Sequence, residues 1–466
     1  MSEAWTPAAR PRPLAFAPPP REPRPQPLVQ WLVIFLLLCQ VTLLVPGIGS
    51  GRMLVRVAAF GMSLFLLAAV RGKALRRHPA FNLAVLTVMA IAVALANPLT
   101  TNLVAGGAQA ALYVAVLAPL FWVSRLSPDT RALRQTVTIL WGFHTLSAAL
   151  GILQVYAPGS FQPPVSSIIL SKGPGYINSL MITTANGVKV FRPMGLTDIP
   201  GGASVSGLYA VLFGTGFFLT RRDPWSIGAS VLSMGIGIAC LSLSQVRSVL
   251  VMTGIAVVVV CGVLAWRRDF VRLKMLGGVA VAAAVGGYGV AHSLAGGAVQ
   301  RRMSSLSSAP AGSVYYRERG HFLADAVERL LPEAPLGRGL GHWGMTATYF
   351  GDPDDPNGIW VEIQWAGWIV DGGAPLTLLY ALALLVAIWS AFRVARAPPP
   401  PSAPDLPFWG VIVFAHGIAT FAFTFSFPVF LSQPGMEFWL LNATLLAAAA
   451  RAARRPAQLP AAEAVA

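Results

Sequence analysis

The chain has 466 residues, of which 55% are hydrophobic and only 11% are charged, and its mean hydropathy is +0.64. This composition excludes an ordinary water-soluble protein, because repeated apolar runs of about 17–22 residues are long enough to cross a bilayer as helices. The net charge of +16 would suggest nucleic-acid binding in a soluble protein, but basic cytoplasmic loops explain most of it here. We therefore expect an all-α polytopic membrane protein that contacts the lipid bilayer and binds no nucleic acid.

The chain is predicted to contain one integral membrane domain between two cytoplasmic tails. Residues 1–27 are rich in Pro and Arg, a composition typical of disorder, and residues 451–466 form the second tail. The domain at 28–450 contains about twelve transmembrane helices, predicted at residues 28–46, 54–70, 80–97, 104–124, 136–157, 203–220, 225–242, 248–266, 275–292, 361–392, 407–428 and 436–450. We expect the long tenth span to break near Asp371-Gly372-Gly373.

The orientation follows from the distribution of Lys and Arg. Most of the 34 basic residues lie in the two tails and in the connections after the even-numbered spans. Positive charge in short loops marks the cytoplasmic side, so both termini are predicted to be cytoplasmic.

Two long loops are predicted on the opposite side, at about 158–202 and 293–360, and they carry most of the remaining basic residues. The rule that sets the orientation predicts few cations there, so these residues need another reason. Binding an anionic substrate is the obvious candidate, because guanidinium groups match the geometry of phosphate.

The second loop contains a predicted soluble helix from about Tyr315 to Leu331, with one wet and one apolar face. The wet face carries Arg317, His321, Asp325 and Glu328. The apolar face carries Phe322, Leu323, Ala326, Val327, Leu330 and Leu331. Arg319 falls at the N-terminal end of the apolar face, so it requires an anionic partner, either a protein carboxylate or a ligand.

Glu362 lies at the start of the tenth predicted span, beside Gln364 and Trp365. A carboxylate at the mouth of a membrane helix must be solvated, paired or used in function. Partial removal from water suits a general base, whereas an ion pair with an outer arginine would make Glu362 structural. Gln364 and Trp365 are candidate substrate-binding residues, although the tryptophan also fits an interfacial aromatic belt.

Three further segments place polar groups on the outer side. The run Pro335–His342 has three glycines in five residues, which permits a turn with exposed amides for an anion, but a plain turn explains it equally well. This run supplies Arg338 and His342 as candidates. Arg247 begins the eighth span and Arg192 lies in the first outer loop, and each also fits a snorkelling arginine.

Four short motifs between about residues 190 and 375 occur in a recognisable order. They are R-x-x-G-x-x-x-x-P at Arg192–Pro200, a Ser/Arg helix start at Ser244, Arg247 and Ser248, an arginine (Arg319) heading a loop helix that runs into P-L-G-x-G-x-G at residues 335–341, and an acid with glycine at Asp371-Gly372-Gly373. This series resembles the bacterial O-antigen ligase and O-antigen polymerase superfamily of polytopic glycosyltransferases. The family's last motif also has a polar His-Asn pair about nine to eleven residues before this acid. The departure is that Glu362 stands where the family usually has its functional histidine, while Asn357 follows Pro356 with no histidine before it.

The resemblance implies a glycosyltransferase of the bacterial inner membrane that uses no metal or cofactor. It implies transfer of glycan from an undecaprenyl-diphosphate carrier to an acceptor hydroxyl on a saccharide, lipid or protein at the periplasmic face. Other envelope polysaccharide assembly proteins are further expected partners, and ligase and polymerase activity are not distinguished. We expect Glu362 to be the base, with His342 or the Asp354/Asp355 pair as alternatives. Arg247 and Arg319 are expected to hold the diphosphate, with Arg192, Arg317 and Arg338 as second choices.

Two other functions fit the same composition. One is a transporter or flippase of lipid-linked saccharide, which the scarcity of central charges in the predicted spans disfavours. The other is a non-catalytic protein of envelope polysaccharide assembly.

Overall fold

The computed structural model describes residues 27–49, 51–165, 167–170, 173–304, 310–351 and 359–454. Residues 1–26 of the predicted tail 1–27 and residues 455–466 of the predicted tail 451–466 lie outside these ranges, as do Asp354 and Asp355. The described residues are almost entirely helical, which confirms the all-α prediction apart from one short hairpin.

The elements in the first part of the chain are α1 (Leu28–Thr42), α2 (Gly51–Ala69), α3 (Phe81–Leu95), α4 (Leu103–Leu126), α5 (Thr130–Tyr156), α6 (Pro158–Phe161), α7 (Ser167–Leu170), α8 (Pro174–Ser179), β1 (Met181–Thr183), β2 (Lys189–Phe191), α9 (Ala203–Thr220), α10 (Pro224–Ser244), α11 (Arg247–Trp266) and α12 (Phe270–Ser304). Those in the second part are α13 (Ala311–Tyr315), the π-helical turn π1 (Tyr316–Gly320), α14 (His321–Asp325), the π-helical turn π2 (Ala326–Leu330), α15 (Leu331–Glu333), α16 (Gly344–Phe350), α17 (Gln364–Arg396), α18 (Leu406–Phe423), a 3₁₀ turn (Val429–Leu431) and α19 (Gln433–Arg454).

A helix overlaps each of the twelve predicted spans. Among the described residues, nine helices are long and apolar enough to cross a membrane: α2, α4, α5, α9, α10, α11, α12, α17 and α18. The protein is therefore a polytopic helical membrane protein. The helices α1 and α3 are apolar but have only 15 residues each, and α19 buries Glu437 and Asn442, so the count of twelve spans remains a prediction.

The central helix of the bundle is α9, in which nearly every residue is buried. It crosses α10 closely because both helices place glycine at the contact, where a Cβ on Gly207 would lie 2.8 Å from the Gly237 carbonyl oxygen. Small residues commonly permit such close approach between membrane helices. The crossing fixes the start of α9 and the end of α10, which adjoin the segments that carry Arg192 and Arg247.

The long loop predicted at about 158–202 contains the hairpin, which the sequence did not predict. Strands β1 and β2 pair antiparallel, with Met181 opposite Phe191. Arg192 follows β2 directly, and its backbone amide donates to the Leu180 carbonyl at 2.9 Å. The hairpin therefore fixes the position of this arginine.

The predicted break in α17 is confirmed. Gly372 and Gly373 have non-helical backbone angles, and Gly373 has a positive φ of 58°. The glycine-rich run lies against the break, where the Arg338 amide donates to the Val370 carbonyl and the Ala374 amide donates to the Pro335 carbonyl. These bonds satisfy groups that the interrupted helix would otherwise leave unpaired.

Gly341 in the glycine-rich run and Gly344 just after it should tolerate an added side chain very differently. Gly341 and Gly344 both have positive φ, but a Cβ on Gly341 would lie 2.6 Å from the Gly106 nitrogen, whereas one on Gly344 meets nothing within 4 Å. We expect Gly341→Ala to lower the free energy of unfolding by about 2–3 kcal/mol through strain and overpacking. Gly344→Ala should cost roughly 1 kcal/mol, through backbone strain alone. Apparent melting temperatures in detergent would compare the two, and equal losses would contradict the close packing at Gly341.

Candidate functional site

The candidate residues gather where the outer-loop segments meet one end of the bundle. The end of α5 and the starts of α9, α11 and α17 all lie at this end, because the helices alternate in direction along the chain. The basic connections of the sequence lie at the other end. Charged side chains here are at the margin of the apolar helices, where they must be solvated or paired.

Arg192 is held by the motif that it begins. The Gln154 side chain of α5 accepts from the Met194 and Gly195 amides and donates to the Gly195 carbonyl, all at 2.8–2.9 Å. Further along the motif, Asp198 binds Arg52 and Arg56 of α2 at 3.0 and 2.8 Å. The segment is therefore tied to two helices, and Arg192 is held half-buried.

Arg247 is the first residue of α11, and the preceding residue makes no side-chain cap hydrogen bond. The N-terminus of a helix carries partial positive charge, so a cation there is unfavourable unless an anion is close. The Arg247 guanidinium lies 3.7 Å from the Glu318 carboxylate, and the arginine side chain is only 20% exposed. The partial positive charge of the α11 N-terminus and the positive charge of Arg247 therefore lie close to the same carboxylate.

The predicted loop helix exists as a continuous helical run from α13 to α15, and its two faces match the prediction except at one position. Ala326 and Leu330 are buried against Trp343 and Ile363, while Val327 is 46% exposed. The residues of the wet face are exposed as expected: Arg317, His321, Asp325 and Glu328. Val327 points outward because π-helical turns shift the face away from regular spacing.

Arg319 forms an ion pair with Glu362. Arg319 thereby has the anionic partner that its position was expected to require, and Glu362 is ion-paired, as in the structural alternative given for it above. Glu362 also accepts a hydrogen bond from Trp360 Nε1 at 2.7 Å, and it precedes the start of α17 by two residues. The side chains of Arg319 and Glu362 are 38% and 26% exposed, so both remain within reach of a ligand.

Three arginines and two glutamates form one cluster, which we call the outer arginine cluster: Arg192, Arg247, Arg319, Glu318 and Glu362. Burial, and then the repulsion of nearby Arg247, lower the pKa of the Arg192 guanidinium, while Glu318 acts in the opposite direction. Burial likewise lowers the pKa of Arg319 against the attraction of Glu318. The cluster keeps one more cation than anion, an imbalance that favours binding of an anion.

Two members of the cluster have unsatisfied donors. The Nε–H groups of Arg192 and Arg247 are buried and have no hydrogen-bond acceptor among the described residues. Buried polar groups are almost always paired, and charged donors carry the largest penalty when they are not. A phosphate oxygen is the kind of acceptor that such guanidinium edges bind.

The glycine-rich run does not expose its amides to an anion. The amides of Gly337, Arg338, Leu340 and Gly341 donate to protein acceptors, among them Thr100 and Gln109 of the neighbouring helical segments. His342 is buried, with Nε2 at 3.0 Å from the Leu99 and Arg338 carbonyl oxygens. Arg338 pairs with Glu333 at 2.9 Å. Of the two interpretations of this run, the geometry favours a structural turn.

The remaining candidates lie at the edge of the cluster or behind it. Gln364 is fully buried, and its side-chain oxygen accepts from the Phe430 amide at 2.7 Å, which ties α17 to the connection before α19. Trp365 donates to Thr424 Oγ1 at 2.9 Å and packs on Phe425. Arg317 is exposed and makes no ion pair with any described residue. Gln364 and Trp365 thus anchor the start of α17, which follows Glu362.

The sequence analysis missed the role of Asp371, which it named only as a helix break. This carboxylate is fully buried and accepts three hydrogen bonds, from Gln109 Nε2, Tyr113 OH and Trp343 Nε1 at 2.8, 2.6 and 2.8 Å. The signal in the sequence was Gln109, a polar residue inside an otherwise apolar span. Asp371 thereby joins α4 and α17 to Trp343, the residue that directly follows the glycine-rich run.

Glu318 was also missed, although it lies between two named arginines. The turn π1 places Glu318 and Arg319 side by side, and each reaches a different partner in the cluster.

Removing the Asp371 carboxylate should destabilise the fold strongly. Asp371→Ala leaves the donors of Gln109, Tyr113 and Trp343 unpaired in the interior, which we expect to cost about 3–5 kcal/mol. Asp325 is a matched control, because its carboxylate is exposed and pairs with Arg329 at 2.7 Å within one helical turn. Asp325→Ala should change the melting temperature in detergent little, and a similar loss from both variants would contradict the structural role of Asp371.

No protein-family model matches this sequence, and no curated protein matches it. The function must therefore be inferred from the cluster and the fold that holds it.

Proposed function

We propose that the protein is a glycosyltransferase of the bacterial inner membrane that acts on a lipid-linked saccharide at the periplasmic face. Its donor is a glycan on undecaprenyl diphosphate, and its acceptor is a hydroxyl of a saccharide, lipid or protein. Both termini face the cytoplasm in this proposal. The motif order that resembles the O-antigen ligase and polymerase superfamily agrees with it.

The observation that carries the proposal is the outer arginine cluster. A diphosphate leaving group needs cations where its negative charge develops, and three arginines from separate segments are brought to one place. The unpaired Nε–H groups of Arg192 and Arg247 are suited to phosphate oxygens. The position at the end of an apolar bundle suits a substrate whose lipid tail stays in the membrane.

The reaction assigns one role to each part of the cluster. Glu362 accepts the proton of the acceptor hydroxyl, and the hydroxyl oxygen forms a bond to the anomeric carbon of the donor. The bond from that carbon to the diphosphate breaks on the opposite face, which inverts the configuration. Arg192, Arg247 and Arg319 stabilise the departing undecaprenyl diphosphate. Arg319 must leave Glu362 for this step, because a paired carboxylate is a weaker base.

Replacing the base and its arginine should stop transfer without unfolding the protein. We expect Glu362→Gln to lower kcat by a factor of about 10²–10⁴ and Arg319→Ala to lower kcat/KM about a hundredfold, because one removes the base and the other a diphosphate contact. Polymer formation in a producing strain, with membrane levels measured by immunoblot, would report both effects.

The control pair for this experiment is Glu328→Gln and Arg329→Ala, which change the same charges on the exposed face of the loop helix. Both controls should make normal polymer. Normal polymer from Glu362→Gln and Arg319→Ala at normal protein levels would refute the proposal.

A second candidate is transport of the same lipid-linked saccharide. The observation in its favour is a buried group of polar side chains from three helices, where Tyr209 OH of α9 lies 3.2 Å from His416 Nε2 of α18 and the Tyr209 ring packs on His144 of α5. Ionisable residues inside a membrane often mark a transport path. Radiolabelled donor in proteoliposomes separates the functions, because transfer yields a larger glycan and transport yields movement across the vesicle. If neither transfer nor transport is observed, the result favours a non-catalytic role in assembly.

A further inference from the structure

We propose that Glu318 occupies the place of the donor diphosphate while the site is empty, and that the donor displaces it on binding. This inference rests on the proposed function, since it concerns the same cluster. It makes Glu318 a residue that sets the affinity and charge preference of the site, in addition to the roles given to Glu362 and the arginines.

The first observation is the position of the Glu318 carboxylate. It pairs with Arg247 at 3.7 Å, and its charge also acts on Arg192 and on Arg319. Glu318 is therefore an anion in the field of all three arginines. An anionic ligand that used the three arginines together would have to take this place.

The second observation is that Glu318 is held loosely. Its side chain is 56% exposed, and 3.7 Å is longer than a well-formed charged hydrogen bond. Exposed ion pairs of this kind contribute little to stability. The buried Nε–H groups of Arg192 and Arg247 remain without an acceptor while Glu318 is in place. A diphosphate has more oxygens and more charge than one carboxylate, so it can satisfy donors that Glu318 leaves unpaired.

The third observation links this displacement to Glu362. Glu318 and Arg319 are neighbours in the wide turn π1, and Arg319 is the ion-pair partner of Glu362. A diphosphate in the place of Glu318 attracts Arg319, which weakens the pair and frees the Glu362 carboxylate. The empty site thus holds Arg247 and Arg319 in ion pairs with the two glutamates, and the donor opens both pairs.

The test measures the affinity for inorganic pyrophosphate by isothermal titration of the purified full-length protein in nanodiscs. Glu318→Gln should bind pyrophosphate about three- to fivefold more tightly than the natural protein, which is the size of effect expected from one exposed ion pair. Undecaprenyl diphosphate should show the same shift. Glu328→Gln, which removes an exposed glutamate from the same loop helix, should bind as the natural protein does.

A purely structural Glu318 predicts the opposite sign. If Glu318 only holds Arg192 and Arg247 in place, its loss leaves these cations repelling each other, and pyrophosphate binding weakens. Unchanged or weaker binding by Glu318→Gln would therefore overturn the inference. In transfer assays the variant should lower the donor KM by the same factor.

The inference and the proposed function can fail separately. Tighter pyrophosphate binding by Glu318→Gln in a protein that transfers no glycan would support the role of Glu318 and overturn the assignment as a transferase. Glycan transfer with no change in pyrophosphate affinity would support the assignment as a transferase and overturn the role of Glu318.

Discussion

The pairing of charges at the edge of an apolar bundle is the constraint on which the rest of the site depends. Arg319 and Glu362 come from segments more than forty residues apart, and each would be costly alone where the helices leave the membrane. Their ion pair, together with the packing of Ala326 and Leu330 on Ile363, holds the loop helix over the start of α17. The charges of the cluster are thereby held in a form that the apolar surroundings tolerate.

Buried polar bonds and close glycine contacts fix the helices and loops that carry this ion pair. Asp371 joins α4 to α17 through Gln109 and Tyr113, and the glycine-rich run fits between them with its amides bonded to protein acceptors. The close crossing of α9 and α10 fixes the ends that lead to Arg192 and Arg247. The charged residues of the cluster thus lie on loops and helix ends, while their positions are set by buried polar bonds and by glycine contacts in the interior.

The sequence predicted what depends on local pattern. Helix positions followed from apolar runs, the break in α17 from Asp371-Gly372-Gly373, and the inward position of Arg319 from helical spacing. What it missed depends on contacts between distant segments. Glu318 was missed because its partner Arg247 is distant in the sequence. The amides of the glycine-rich run were open to two interpretations because acceptors such as Thr100 and Gln109 lie on other segments. Val327 was misassigned because π-helical turns change the spacing on which the face prediction relied.

The fit of the glycine-rich run against the α17 break affects how mutants of this protein should be interpreted. A Cβ on Gly337 would lie 2.6 Å from the Gly372 nitrogen, so substitution on either side of this contact disturbs the other. In a genetic screen for lost polymer, changes at these glycines would appear beside changes at Glu362 and Arg319, and they would be as severe. Under the proposed function, the glycine variants would fail in assembly and the charged variants in chemistry, so protein abundance would separate the two groups. We therefore expect the mutational map of this protein to contain two distinct sets of sensitive positions.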